Sequence, residues 1–170
     1  MTRTVARALI ALAFGVLVAP AAQAQAAPAR VPFELGEVLT YDLRFGAIKV
    51  GTSRLRVVGQ EMVRGRNTWR VRFTVSGGTF FYKVNDVYES WMDVVTLNSL
   101  RYVQDLEQGS RDRERTFEIF PERAVYRETT RGTGERPSVS DPLDDGSFLY
   151  FIRTVPLEIG RTYTFNRYFR

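Results

Sequence analysis

Carboxylates are the side chains in this sequence whose types and spacing suit acid–base chemistry. Asp86, Glu89 and Asp93 lie in one segment, and Asp141, Asp144 and Asp145 lie in another. Paired acids serve as general acid and general base, or hold calcium. The chain has no histidine and no cysteine, which excludes Ser-His-Asp and Cys-His catalysis as well as imidazole and thiolate metal sites from these residues. We therefore predict no catalytic residue, no metal site and no cofactor, and we expect that the protein is not an enzyme.

Each acidic group also has a structural interpretation. Asp86 and Glu89 fall on opposite faces if their segment is a strand, which argues against joint action. Asp141 precedes Pro142 and two further acids, a pattern typical of a helix start: Asp141 caps, and Pro142 occupies the first helical position. The cap is favoured over calcium binding. The sequence has no EF-hand spacing, phosphate loop or nucleotide signature, and no nucleic-acid partner is expected.

Aromatic side chains are the second candidate for a binding site. The candidate ligand-binding residues are Phe80, Phe81, Tyr82, Tyr88, Trp91, Phe148, Tyr150 and Phe151. Together they could line an apolar cavity for an acyl chain or a similar hydrophobic, lipid-like ligand. The alternative, which the sequence favours, is ordinary core packing, because aromatic residues dominate the cores of β-proteins.

The basic residues are almost all arginine, since Lys49 and Lys83 are the only lysines. Guanidinium groups match phosphate and carboxylate bidentately. The pairs Arg54/Arg56, Arg70/Arg72 and Arg113/Arg115 have the i, i+2 spacing of an ordinary solvated strand face, and this simpler interpretation is favoured.

Most of the chain shows the period of two that predicts β-strands. Residues 39–45 alternate before Gly46 breaks the run, and residues 48–57 form a second strand in which Gly51 marks a bulge or a close backbone approach. Residues 69–75 alternate most clearly, whereas residues 79–84 fit either a helical turn or a strand. A hairpin of 100–106 and 111–120 follows.

The end of the chain adds one helix and a last strand-like run. We predict a mobile loop over 132–137, a buried helix near 142–153 and a strand over 163–169. The predicted fold is mainly β: an antiparallel curved sheet or incomplete barrel, arranged as a meander up to the helix, with one short buried helix.

Four short motifs resemble one bacterial family. They are Phe-Glu-Leu-Gly-Glu-x-Leu-Thr-Tyr at 33–41, Gly-x-Ile-Lys-Val-Gly-Thr at 46–52, Asp-Val-Tyr-Glu-Ser at 86–90 and Asp-Pro-Leu at 141–143. In this order they resemble the exported family called domain of unknown function 3108, over nearly the whole mature chain. The resemblance implies a periplasmic β-rich protein without an assigned reaction. It also implies that the domain is incomplete at its C-terminus.

The first residues have the pattern of a secretory signal peptide. Arg3 and Arg7 precede an apolar run from Ala8 to Ala19, and small residues suited to cleavage follow. The run is shorter than the ~20 residues that a membrane-spanning helix requires. We predict a signal peptide at 1–26, a linker at 27–32 and a single β-rich domain at 33–170, in a periplasmic protein without a transmembrane segment after signal removal.

The sequence leaves three functions open. The leading prediction is a non-enzymatic periplasmic binding or scaffold module of the cell envelope, in which the concavity of the sheet is the candidate site for a lipid-like ligand. The alternative is a structural or interaction protein with a filled core, which acts on an envelope protein through its strand faces or an open edge. A hydrolase that uses carboxylates is least favoured, because histidine is absent.

Overall fold

The computed structural model describes residues 27–132 and 134–170, in which eight antiparallel strands form one unclosed sheet. The strands are β1 (Val38–Phe45), β2 (Ile48–Val63), β3 (Arg66–Gly78), β4 (Lys83–Asp93), β5 (Ser99–Gln108), β6 (Arg111–Phe120), β7 (Val125–Glu128) and β8 (Glu135–Pro137). A helix, α1 (Asp145–Phe151), and two 3₁₀ turns at Pro121–Arg123 and Ile152–Thr154 complete the described elements. The order of strands in the sheet is their order in the sequence. The predicted mainly β, antiparallel meander with one short helix is confirmed.

Alternation along the strands gives the sheet two different faces. We call the face that α1 covers the inner face, and the opposite one the outer face. Leu55, Val57 and Val71 point to the inner face and are buried, whereas Arg54 and Arg56 point outward and are exposed. The period of two thus separates core from surface in β2 and β3, as the sequence predicts.

Gly51 lies at both a bulge and a close approach of two strands. The register of β1 and β2 shifts beside it, between Leu43 and Arg44, and on its other side Gly51 pairs with Gly77 of β3. A Cβ atom added to Gly51 would lie 2.6 Å from the carbonyl oxygen of Ser76. Only glycine allows the two backbones to come this close. The close pairing of Gly51 with Gly77 places the β1–β2 turn beside the β3–β4 turn.

The structure shows the conformation of two segments, residues 79–84 and residues 134–137. Over the ambiguous segment 79–84, Thr79 and Tyr82 exchange backbone hydrogen bonds across a turn, and β4 begins at Lys83. The prediction of a mobile loop over 132–137 is wrong for its second half, because Glu135–Pro137 pairs with β7 as β8.

The helix begins later than the sequence predicts. Asp144, not Asp141, is the N-cap, and its Oδ1 accepts hydrogen bonds from two backbone N–H groups of the first turn at 2.9 and 2.8 Å. The earlier start is prevented because Leu143 is buried and forms a parallel β-bridge with Tyr168. The helix predicted over 142–153 is therefore α1 followed by a 3₁₀ turn.

One side of α1 packs on the inner face. Tyr150 is 1% exposed and meets Phe33 edge-on, with ring centroids 5.0 Å apart. The same cluster includes Val57, Val71 and Met92 from the sheet. The outward side of α1 carries Phe148, which is 39% exposed, so the helix covers the sheet without being enclosed on all sides.

A row of aromatic rings crosses the inner face beside α1. This aromatic ladder consists of Phe73, Tyr88, Tyr102, Phe117 and Tyr126, one from each of β3 to β7, with neighbouring centroids 5.6 to 6.5 Å apart. Phe169 is fully buried against it, 5.2 Å from the rings of both Phe117 and Tyr126. The strand predicted over 163–169 is wrong: this segment forms only an isolated bridge at Tyr168 and inserts Phe169 into the ladder.

The segment expected to be a linker, 27–32, lies against the sheet. The Ala29 N–H donates to the carbonyl of Val94 at 2.8 Å, and the Arg153 guanidinium donates to the carbonyl of Pro32 at 3.0 Å. The predicted signal peptide, 1–26, lies outside the described residues. None of the helices in the described ranges has the length and apolar character that a membrane span requires.

Candidate functional site

The carboxylates singled out in the sequence have structural partners. Glu89 and Asp86 lie on opposite faces of β4, as predicted: Glu89 accepts hydrogen bonds from two arginines of β3 at 2.7 to 3.0 Å, whereas Asp86 accepts from Gln108 at 2.6 Å. Asp93 accepts from backbone N–H groups in the following turn at 2.7 and 2.9 Å. Within residues 27–132 and 134–170, no three acidic side chains are grouped to hold a metal ion.

Asp144 is fully buried between α1 and the sheet. Burial raises its pKa to about 6, although hydrogen bonds from the Ser147 N–H and the Ser90 hydroxyl oppose this shift. A Cβ atom added to Gly146 would lie 2.4 Å from the Ser90 Oγ, so this junction has no space for a substrate. Asp144 therefore serves as a helix cap that is shielded from solvent.

The predicted ligand-binding aromatic residues do not line one cavity. Tyr88 belongs to the aromatic ladder, where burial raises its pKa to about 12. Trp91 lies on the outer face, and its indole N–H donates to a glutamate of β2 at 2.8 Å. On α1, Tyr150 and Phe151 pack against the core cluster, while Phe148 faces outward.

The other three members of the predicted set lie together on the turn between β3 and β4. Phe80 and Phe81 are 92% and 91% exposed, and Tyr82 is 50% exposed. The two phenylalanine rings contact each other edge-on, with centroids 5.1 Å apart. These three side chains therefore form an exposed aromatic group on a turn and are not part of the core.

Two more large apolar side chains are exposed at the same end of the sheet. The β1–β2 and β3–β4 turns are alternate turns of the meander, so both leave the sheet at one end. Phe45 and Ile48 on the first of these turns are 81% and 67% exposed. We call the set Phe45, Ile48, Phe80, Phe81 and Tyr82 the apolar rim.

Phe45 and Ile48 are not among the residues predicted to bind a ligand. Phe45 continues the alternation of Leu39 and Leu43, which predicts a buried position. Alternation reports the face of the sheet, but it does not report where the cover on that face ends. The available signal is that the two residues flank the Gly46–Ala47 turn, since residues that flank a turn extend beyond the core.

A groove of about 700 Å³ lies between the β3–β4 turn and the β5–β6 turn. Its walls are Phe80–Lys83 and Gln108–Arg111. The Tyr82 ring lies over Gly109, where an added Cβ atom would be 2.8 Å from Tyr82 Cε2, and the Gly109 N–H donates to the Lys83 carbonyl at 2.8 Å. These contacts join the two turns into one surface.

Basic side chains surround the apolar rim. The basic residues are Arg44, Lys49, Lys83 and Arg111, and the neighbouring acids are Asp42, Glu107 and Asp112. Lys49 lies 2.7 Å from Asp42 and lowers the pKa of this carboxyl by hydrogen bonding to it. The four basic residues outnumber the three acids, so the surroundings of the exposed apolar groups carry a small net positive charge.

The fold and these surfaces define a class of protein: an antiparallel β-meander module with a filled inner face and an exposed apolar end. A family model described as "Protein of unknown function (DUF3108)" matches residues 40–170, and the chain belongs to this family. The predicted family membership is thereby confirmed. Neither the curated proteins nor the solved structures give a match to the chain. Since the family description assigns no reaction, function is inferred from the surfaces.

Proposed function

We propose that this protein is a non-enzymatic, periplasmic binding module of the cell envelope that docks on anionic phospholipid surfaces through the apolar rim. The observation that carries this proposal is the exposure of Phe80 and Phe81, at 92% and 91%, on one turn. Burial of a phenylalanine side chain contributes roughly 1.5–3 kcal/mol. Two rings held in water on the same turn therefore favour a partner that covers them.

The chemistry of the rim matches a phospholipid interface. Aromatic rings concentrate where a membrane meets water, and Tyr82 combines an apolar ring with a polar hydroxyl. Lys49, Lys83 and Arg111 lie beside the rings, where each basic residue gains about 1 kcal/mol near an anionic lipid surface. Turns also present their side chains at the end of a rigid sheet, so they can enter an interface without rearrangement of the core.

Contact at the rim is better supported than storage of a lipid within the sheet. On the inner face α1 covers the sheet, and Phe169 fills the space beside the aromatic ladder. The groove beside Phe80 and Phe81 is open to solvent and borders the basic residues. These observations favour contact of a lipid-like ligand with the rim over a place for it within the sheet.

The periplasmic part of the proposal is supported by the leader pattern at 1–26. Expression of the full chain followed by fractionation tests it. The proposal requires a processed protein in the periplasmic fraction, and retention of the unprocessed chain in the cytoplasm contradicts it.

Cosedimentation of the mature protein with vesicles of phosphatidylethanolamine and phosphatidylglycerol tests the docking. We expect the wild type to bind and Phe80→Ser/Phe81→Ser to bind at least about tenfold more weakly, because two buried rings are lost. Leu157→Ser/Ile159→Ser is the matched control, since it removes two exposed apolar side chains that follow the 3₁₀ turn at Ile152–Thr154, whose Arg153 contacts Glu37 at the opposite end of β1 from the rim. A wild type that does not bind, or equal loss in both variants, contradicts the proposal.

The second candidate is a structural or interaction protein that acts on an envelope protein. The filled inner face and the open edge at β1 support it, because an unpaired strand can accept a strand from a partner. Failure of vesicle binding together with stable capture of one periplasmic protein, lost when Thr40 is replaced by proline on the edge strand, would favour this second candidate.

A further inference from the structure

Carboxylates neutralise the arginines in the middle of the outer face. Arg70 contacts Glu61 and Glu89 at 2.8 and 2.9 Å, and Arg101 contacts a glutamate of β6 at 2.6 Å. Arg54 and Arg56 on β2 differ, because neither makes an ion pair or a side-chain hydrogen bond to any of the described residues. The outer face therefore ends, toward β1, in two arginines without acidic partners.

The strand register brings a third arginine to the same place. Arg56 lies directly opposite Arg72 of β3. Like charges at directly opposed positions destabilise an antiparallel pair. Glu89 contacts Arg72 at 2.7 Å, but it also holds Arg70. The three guanidinium groups therefore keep an excess of positive charge that the stability of the fold does not explain.

These arginines border an open cleft of about 450 Å³. The arginine cleft is lined by Val38, Thr40, Arg54, Arg56, Arg72 and Thr74. Thr40 of β1 and Thr74 of β3 both lie directly opposite Arg54, so one hydroxyl group lies on each side of it. Guanidinium forks bind phosphate oxygens bidentately, and hydroxyl groups complete such sites as further hydrogen-bond donors.

We propose that the arginine cleft binds the phosphate group of a phosphorylated ligand, either a soluble phosphate ester or a phospholipid headgroup. An anion between Arg56 and Arg72 replaces their mutual repulsion by two attractions. This site is separate from the apolar rim, because it lies on the outer face of β1 to β3 whereas the rim lies on the turns. The proposal does not depend on rim docking.

Titration of the mature protein with inorganic pyrophosphate and with glycerol phosphate tests the soluble source. Vesicles that contain phosphatidylglycerol test the lipid source. The variant is Arg54→Gln/Arg56→Gln, and the control is Arg136→Gln/Arg161→Gln, which removes the same charge from exposed positions elsewhere. We expect the cleft variant to lose at least about tenfold in affinity and the control to change less than about twofold.

The probes distinguish the two sources. Cleft-dependent binding of a soluble probe assigns a phosphate ester, and cleft-dependent binding of vesicles alone assigns a lipid headgroup. Phe80→Ser/Phe81→Ser, which leaves the cleft intact, should still bind the soluble probes. The proposal is overturned if no probe binds in a cleft-dependent way, or if the control variant weakens binding as much as the cleft variant.

A second measurement concerns the ligand-free protein. Because Arg56→Gln removes a like-charge pair, we expect it to raise the Tm by about 1–3 °C without ligand and to reduce the rise in Tm that pyrophosphate produces in the wild type. A lower Tm of the ligand-free variant would show that Arg56 stabilises the fold and would contradict a binding role.

Discussion

The aromatic ladder and the apolar rim contain the same types of residue in opposite environments. Phe117 in the ladder is fully buried, whereas Phe80 in the rim is 92% exposed. The ladder lies beside α1 and beneath Phe169. The rim lies on turns that extend beyond this cover. In this fold, the position of an aromatic residue relative to the ends of the sheet decides between core and surface.

The comparison also separates stability from binding. Ladder rings gain their free energy inside the folded protein, where each has aromatic neighbours within 6.5 Å. Rim rings gain little within the fold, so their free energy remains available for a partner. Three variants, in the ladder, at the junction of α1 with the sheet and beside the rim, test this division and are taken in descending order of effect.

The largest effect is expected from Phe117→Ala. Removal of a fully buried ring should lower the free energy of unfolding by about 3–5 kcal/mol, because apolar contacts are lost and a cavity remains. Phe80→Ala, the matched truncation in the rim, should change it by less than about 0.5 kcal/mol. Urea denaturation of both variants measures the difference, and equal effects would contradict the distinction between ladder and rim.

Asp144→Asn tests how completely α1 seals the inner face. Burial raises the pKa of Asp144 to about 6 in the folded protein, whereas the pKa of an aspartate in an unfolded chain is about 3.9. Between these values the folded state binds more protons, so the contribution of this group to stability falls as pH rises, by on the order of 2–3 kcal/mol. Asparagine keeps the capping oxygen but cannot ionise.

Relative to the wild type, Asp144→Asn should therefore gain stability as the pH rises from about 4 to about 7. Denaturation at several pH values measures this gain. A stability difference that is constant across the range would indicate that the Asp144 carboxyl is accessible to water in the folded protein.

Gly109→Ala should have a smaller effect, and it acts on the rim. Gly109 has a φ of +65°, and an added Cβ atom would press on the Tyr82 ring. We expect a loss of about 1–2 kcal/mol from backbone strain, together with weaker vesicle binding as Tyr82 moves. Gly59→Ala is the control, because no atom lies within 4 Å of its added Cβ. An unchanged Gly109→Ala protein would contradict the described contact between the turns.

Local patterns predict most of the strands, because the environment of a strand residue repeats with a period of two. The alternation from Leu39 to Leu43 and from Trp69 to Val75 predicts β1 and β3, and the sheet adds the pairing that these patterns imply. The same patterns predict the hairpin of β5 and β6, whose turn contains Gly109.

The errors arise where a distant segment decides. Asp141 and Asp144 are both acceptable caps by local criteria, and the bridge between Leu143 and Tyr168 selects Asp144. Phe169 continues a strand-like pattern, yet it is buried against rings that are distant in sequence. Which part of a sheet is covered by other segments depends on tertiary structure, which local patterns do not report. For this reason Phe45 follows the alternation of buried residues but is exposed to solvent.

The agreement between strand order and chain order has a consequence for folding. Each strand pairs only with its sequence neighbours, so the sheet can grow hairpin by hairpin with short loop closures, a topology that favours rapid folding. The inner face, however, receives its cover from α1 and Phe169, which follow all eight strands in the chain. The aromatic ladder therefore stays exposed to water until the last step, and this is the stage at which aggregation competes with folding.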